Sequence, residues 1–249
     1  MGPMSDSIET TDTASAGTAP DEVEIDAVGI DTVGIDPALW LAFTRAAGFL
    51  PHDEARALYL AALAGARLGP LVEIGTYQGK SAILLAGAAR ASGRKLITVD
   101  HHRGSEEHQP GWEYHDPSLV DPLIGQVDTL PPARRALALA GVEKEVVMVV
   151  GRSPEVAALW PGAGLGFVFI DGGHTDEAAA ADYESWSPLL TVGGVLAIHD
   201  VFPNPADGGQ APYRIYLRAL ESGEFAEDDR LSGVGSLRVL RRVRGAGAR

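Results

Sequence analysis

Leu71-Val-Glu-Ile-Gly-Thr-Tyr-Gln-Gly-Lys-Ser81 reads as a short strand, a loop bounded by two glycines, and the first turn of a helix that continues to Arg90. A strand that feeds a glycine loop into a helix N-terminus offers free backbone N–H groups at the positive end of the helix dipole. In an open α/β sheet this is where a nucleotide-like ligand sits. The spacing then sorts the ligands. A phosphate-wrapping P-loop has four residues between its glycines, whereas Gly75 and Gly79 enclose three, so the Gly79-Lys80-Ser81 ending does not complete that motif. A dinucleotide loop has its middle glycine where Tyr77 stands, because the backbone there must approach a pyrophosphate. The bulk of Tyr77 works against that approach.

A second strand, Lys95-Leu-Ile-Thr-Val-Asp100, ends on an acid 25 residues after Gly75. An acid at that place suits two hydrogen bonds from ribose hydroxyls; the plain alternative is a turn residue or a helix cap. S-adenosylmethionine carries a ribose and an amino-acid tail and no phosphate, and it matches this set of groups. Glu73 would accept from its ammonium, the loop N–H groups with Ser81 would donate to its carboxylate, and Asp100 would take the ribose.

The ordered set Glu73-x-Gly75-x-Tyr77-x-Gly79-x-Ser81, Asp100, Gly151-Arg-Ser153, Ile170-Asp-Gly-Gly-His174 and His199-Asp200 resembles class I S-adenosylmethionine-dependent methyltransferases. Within them it is similar to the small metal-dependent O-methyltransferases of catechol and macrolide-sugar type. The resemblance runs from about Pro51 to Val243 and implies a Rossmann-like fold, a methyl donor and a divalent ion, Mg²⁺ or Mn²⁺. It also implies that Ser153 hydrogen-bonds the adenine edge; read plainly, Ser153 caps the helix before Glu155.

Composition narrows the remaining classes. The 249 residues carry no cysteine, so disulfides, thiolate nucleophiles and zinc–thiolate sites are excluded. Of the 34 acids, nine fall in residues 1–36, which hold no Lys or Arg; the rest of the chain has 25 acids against 20 bases. Residues 1–36 are therefore expected to be an acidic, disordered tail, with a brief five-residue repeat over Ile25–Asp36, and the methyltransferase-like domain is expected over 37–249. No basic stripe with interleaved aromatics points to nucleic acid. No apolar run is long enough to span a membrane, and no basic-then-apolar N-terminus marks a signal peptide. A cytoplasmic protein, acting on a small molecule or saccharide and open to forming a homo-oligomer, is the expectation.

Helices are expected from Pro37 and over Pro51–Leu68, Pro131–Gly141, Thr175–Leu190 and Tyr213–Ser222. Further strands are expected over Glu145–Gly151, Gly166–Asp171, Gly194–Asp200 and Gly235–Val243, with a poorly marked one inside Phe225–Leu231. Alternating strands and helices imply a doubly wound, mostly parallel α/β sheet with an antiparallel last strand and helices on both faces. Ligands then gather at the carboxyl ends of the strands, where Glu73, Asp100, Ser153, Asp171, His199 and Asp200 fall. The segment His101–Pro117 lacks apolar periodicity and holds four of the seven histidines, which suggests an acceptor-binding lid.

Methyl transfer requires the acceptor to be aligned and deprotonated. A divalent cation can lower the pKa of a hydroxyl and position it. Asp171 and Asp200 supply two carboxylates, and His199 is the candidate third ligand, where relatives place a carboxylate. His174 follows Asp171 through two glycines, so its ring can turn back over the strand end. In similar enzymes this position carries the general base, and a histidine titrates in the useful range. A phenol or catechol acceptor, or a non-catalytic nucleoside-binding protein, is the alternative.

Overall fold

A computed structural model describes Gly2 and residues 34–162 and 164–245. The acidic tail expected over residues 1–36 lies outside the described residues except for Gly2 and its last three positions. Those three belong to the body: Ile35 packs in the core, and the Asp36 carboxylate accepts from Ala38 N at 2.8 Å. That bond caps α1 (Pro37–Arg45), with Pro37 at its first position. The body therefore starts earlier than the expected residue 37.

Seven strands form the main sheet. In chain order they are β1 (Leu71–Ile74), β2 (Leu96–Asp100), β5 (Val146–Val150), β6 (Leu165–Ile170), β7 (Leu190–Ile198), β8 (Phe225–Glu227) and β9 (Arg238–Arg242). A separate hairpin, β3 (Val120–Asp121) with β4 (Gln126–Val127), interrupts the long segment after β2. The spatial order is β5-β2-β1-β6-β7-β9-β8; the first five strands are parallel, β9 is antiparallel to β7, and β8 is antiparallel to β9. From β1 the chain winds outward to β2 and β5, then returns to lay β6 on the other side of β1. The reversal between β1 and β6 is the switch point at which such sheets open a crevice.

Both faces are covered, as the alternation of side chains across a strand requires. Leu71, Leu96, Phe167, Phe169 and Val195 point to a core shared with α1, α2 (His52–Ala66), α3 (Lys80–Ala91) and α4 (Leu130–Leu139). Val72, Ile74, Val168, Ile170 and Leu196 point to the opposite core, closed by α5 (Ser153–Ala158), α6 (Asp176–Trp186) and α7 (Ala211–Glu221). β6 is buried along its whole length, which explains its unbroken apolar run.

Several boundaries differ from expectation, among them the last strand, expected from Gly235, which begins at Arg238. The helix expected over Thr175–Leu190 ends at Trp186 and passes through a 3₁₀ turn, Ser187–Leu189. Strand β7 then begins at Leu190, four residues earlier than expected. Leu190 pairs with Leu165, and the register shifts before Val195 pairs with Phe167. The Gly193-Gly194 pair sits in that irregular stretch, so its glycines mark a kink inside the strand and not a loop before it. Ser153 is the first residue inside α5, while Arg152 occupies the cap position, so the helix-cap reading of Ser153 does not hold.

Candidate functional site

The glycine loop crosses the carboxyl end of β1. Gly75 has φ +89°, and a Cβ there would stand 1.9 Å from the Asp171 carbonyl oxygen, so only glycine fits between β1 and the end of β6. Gly79, φ +86°, opens α3. Lys80 turns away from the loop: its Nζ donates to Ala46 O at 2.9 Å and lies 4.7 Å above the Phe43 ring. The lysine that makes the loop look phosphate-binding is thus occupied, half-buried, against α1.

Asp100 organises this loop. Its Oδ2 accepts from Thr76 N at 3.0 Å and Tyr77 N at 2.9 Å, and its Oδ1 accepts from His102 N at 2.7 Å. Three of about four acceptor positions of the carboxylate are thereby used. Glu73 is fully buried beneath the loop, where its Oε1 accepts from Ser81 Oγ at 2.6 Å and its Oε2 has no partner. Burial pushes its carboxyl up to about 8, against the opposing pull of the Ser81 hydrogen bond.

Among the described residues, the non-glycine positions with left-handed φ are Tyr77 (+46°), His102 (+57°) and Asp200 (+55°). They follow β1, β2 and β7 within two or three residues. Backbone strain collected at strand ends is a mark of a functional rim.

A cavity of about 770 Å³ opens at the switch point, within the range for small-molecule sites. Of the expected cofactor residues, Gly75, Tyr77, Asp100, Ser153 and Asp171 line it; Glu73, Gly79 and Ser81 stand outside the wall. The Ser153 hydroxyl accepts from Trp186 Nε1 at 2.8 Å and is a hydrogen-bond partner of Asp182. Asp182, a buried carboxyl on the wall, is raised to about 6 by burial, with the Ser153 bond opposing. His101, Ser105, Glu106, Glu107, His108 and Trp112 bring the expected lid segment onto the cavity. His102 is not part of that wall; it is buried, with Nδ1 2.7 Å from Thr129 Oγ. At the rim, Tyr77 is flanked by Phe49 and His108, with ring centroids 5.7 and 4.9 Å away, and Phe49 meets Tyr114 edge-on at 5.4 Å.

The second cluster lies past β6 and β7. Asp171, His174 and Asp200 each offer a ligand atom, and these atoms lie within 4.8 Å of one another. Two carboxylates and an imidazole suit Mg²⁺ or Mn²⁺. His174 Nε2 lies 3.1 Å from Asp200 Oδ2, and its Nδ1 lies 3.1 Å from Glu107 Oε1. Burial disfavours the imidazolium, but the hydrogen bonds to Asp200 and Glu107 outweigh it and push the ring up to about 10. Burial raises the Asp200 carboxyl, but the His174 and His199 rings beside it outweigh this and hold it well below the usual carboxylate range.

His199, the expected third ligand, is buried beside both acids. It is 5 % exposed, its Nδ1 lies 3.0 Å from Asp171 Oδ1, and its Nε2 lies 2.6 Å from Glu54 Oε2. With Glu54 at one ring nitrogen, and Asp171 and Asp200 (Oδ2 at 3.4 Å) at the other, His199 adjoins both acids, while His174 completes the group whose atoms lie close enough to share an ion. Sequence reasoning missed Glu54, Glu107 and Asp182. The signal for Glu54 was present: it shares a helix face with Leu58 and Ala61, both fully buried, so an acid stands in an apolar stripe.

A family model described as a methyltransferase domain matches residues 72–201. The chain belongs to that family. The matched stretch contains the glycine loop, Asp100, Asp171, His174, His199 and Asp200. Solved structures share the fold of this methyltransferase domain. Cofactor-bound Rv0187 from MTB is 22% identical with TM-score 0.57, the match covering 86% of this chain and 92% of that one. The O-methyltransferase TomG from Streptomyces achromogenes, in complex with SAM, is 21% identical with TM-score 0.53, covering 84% and 91%. An O-methyltransferase from Bacillus cereus in complex with SAH is 18% identical with TM-score 0.54, covering 84% and 93%. The doubly wound sheet with antiparallel edge strands is therefore the methyltransferase fold, as expected from the motifs. Among the described residues, no helix is long and apolar enough to cross a membrane.

Proposed function

We propose that the protein is an S-adenosylmethionine-dependent O-methyltransferase, assisted by a divalent cation and acting on a hydroxyl of a small molecule or saccharide. The observation that carries this reading is the meeting of Asp171, His174 and Asp200 beside a switch-point cavity walled by the glycine loop and Asp100. S-adenosylmethionine supplies the methyl group. The cavity suits it because Gly75 and Tyr77 bring the loop to the wall, Asp100 keeps an acceptor position for a ribose hydroxyl, and Ser153 and Asp182 offer polar groups further along. Glu73 and Ser81 act from behind the loop, where the Ser81 hydroxyl donates to Glu73 Oε1 and the pair supports the backbone that faces the cofactor.

Asp171 and Asp200 are the residues to hold the cation, which would lower the acceptor's pKa. His174 stands 3.1 Å from Asp200 and is the residue to receive the acceptor's proton. While Asp200 and Glu107 face it unneutralised the ring stays protonated, so its service as a base depends on the charge of Asp200 being spent on the ion. His199 backs Asp171 through its Nδ1. A phenolic acceptor is the second reading. The aromatic rim of Phe49, Tyr77, His108 and Tyr114, exposed at Phe49 and Tyr114, favours it, because a flat ring can stack there.

Calorimetric titration with S-adenosylmethionine, NAD and ATP tests the ligand. Binding of the first alone is expected, and binding of either of the others in its place contradicts the reading. Prior treatment with a chelator is expected to abolish methyl transfer, and Mg²⁺ or Mn²⁺ to restore it. Full activity of the chelated enzyme would leave Asp171 and Asp200 as structural acids.

A further inference from the structure

Glu54 lies outside the stretch 72–201 that the family model matches, yet it is tied to the reaction cluster by a single hydrogen bond. It sits in the first turn of α2 and is 4 % exposed. Its Oε1 accepts from Ser236 N at 2.6 Å and from Ser236 Oγ at 3.2 Å, and its Oε2 faces His199 Nε2 at 2.6 Å. The backbone makes room for this contact. Gly235 has φ +54°, and a Cβ there would stand 2.0 Å from Glu54 Oε1. Three distant parts of the chain, α2, the end of β7 and the turn before β9, thus converge on one carboxylate.

Burying a carboxylate costs several kcal/mol, and well-packed apolar groups usually serve stability as well or better. Stability alone is therefore a poor account of Glu54. Its position gives a better one. The ring of His199 has one nitrogen on Glu54 and the other on Asp171 Oδ1 at 3.0 Å, with Asp200 Oδ2 3.4 Å from the same nitrogen. Whatever holds the first nitrogen aims the second.

We propose that Glu54 is a positioning residue of the reaction site: through the His199 ring it orients the Asp171 carboxylate. The proposal rests on the reading of Asp171 and Asp200 as the cation-holding pair. The chain acts here as metal sites commonly do, with an outer carboxylate fixing a histidine. Here the other nitrogen of that histidine faces Asp171 and Asp200.

The test uses Mn²⁺ alone and two variants, Glu54→Gln and Glu54→Ala, in the full chain. In the wild type the Nε2 signal of the His199 ring in long-range ¹H–¹⁵N spectra is expected to be that of a proton-bearing nitrogen. Gln keeps an acceptor for Ser236 but presents an amide N–H₂ to the ring, so Nε2 is expected to shift to the unprotonated type. Mn²⁺ affinity, read by electron paramagnetic resonance, is expected to fall about 10–100-fold in Glu54→Ala and less in Glu54→Gln. If Glu54→Ala does not fold, the isosteric Gln variant carries the test. Mn²⁺ affinity within about twofold of wild type in a folded Glu54→Ala variant overturns the proposal, as does an unmoved ring signal in Glu54→Gln. If the wild type takes up no Mn²⁺, the ion-assisted reading fails by itself. The ring signal then decides the tether: a shift in Glu54→Gln upholds it, and no shift overturns it.

Discussion

The two sides of the switch point are wired differently. On the cofactor side, around β1 and β2, the polar contacts run to backbone or to near neighbours in the chain: Asp100 to the N–H groups of residues 76, 77 and 102, and Glu73 to Ser81 eight residues on. On the reaction side, around β6 and β7, they are bonds between side chains across long separations. His199 and Glu54 are 145 residues apart, Ser236 and Glu54 182, and His174 and Glu107 67. A site built on backbone is set once the strand, loop and helix form. A site built on side chains from several elements depends on the whole body being packed, and a single altered partner can release it.

The two sides meet at Gly75, and the largest effect is expected there. A methyl group at this position would collide with the Asp171 backbone, and the residue would also be held at a strained φ. Gly75→Ala is expected to cost ~4–5 kcal/mol of stability in denaturant titration and to abolish cofactor binding with it. A variant with wild-type stability would show that the strand ends can part, and that the two sides are less closely joined than described.

His174→Ala separates the sides. It is expected to lower kcat by ~10²–10⁴-fold, the scale for loss of a general base, while the affinity for S-adenosylmethionine measured by calorimetry stays near wild type. Loss of cofactor affinity would mean that His174 belongs to the cofactor wall.

Glu73→Gln addresses the buried acid of the cofactor side through pH. The folded-state value of about 8 lies above the ordinary value of 4.5, so between these the native chain holds a proton that the unfolded chain has released. Stability is therefore expected to fall as pH rises through that window, by an amount on the order of a few kcal/mol. The Gln variant keeps an acceptor for Ser81 and is expected to lose this slope. Parallel pH curves for both proteins would refute the neutral, buried Glu73. The smallest effect is expected at the exposed pair Arg214–Asp176, which touches neither side. Arg214→Ala should change stability by no more than ~1 kcal/mol, and a larger loss would point to an unrecognised role for α7.

The same contrast explains what the sequence made legible. The glycine loop, Asp100 and the parallel strands could be read because each is a local pattern: an apolar run, a spacing between glycines, an acid at a strand end. Asp171, His174 and Asp200 could be named because they stand at strand ends in the same way. Their partners could not, since nothing near Glu54 or Glu107 in the chain says that His199 or His174 will arrive beside it. His199 is expected as a ligand from its place beside Asp200, and nothing local announces the Glu54 carboxylate that stands behind its ring. The two-residue strands β3 and β4 were also missed, because such short pairings leave no periodicity to read. The start of β7 was misjudged because a glycine pair normally marks a loop, whereas here it marks a bulge within a strand.

The central claim is transfer of a methyl group to oxygen with the help of a divalent ion. It is tested most directly by incubating the protein with methyl-labelled S-adenosylmethionine and pools of hydroxylated acceptors, saccharides and phenols separately, before and after removal of divalent ions. The account predicts label in an O-methyl product from one pool, lost on chelation and restored by Mg²⁺ or Mn²⁺. Label on nitrogen or carbon, or an O-methyl product formed equally well without the ion, would contradict it.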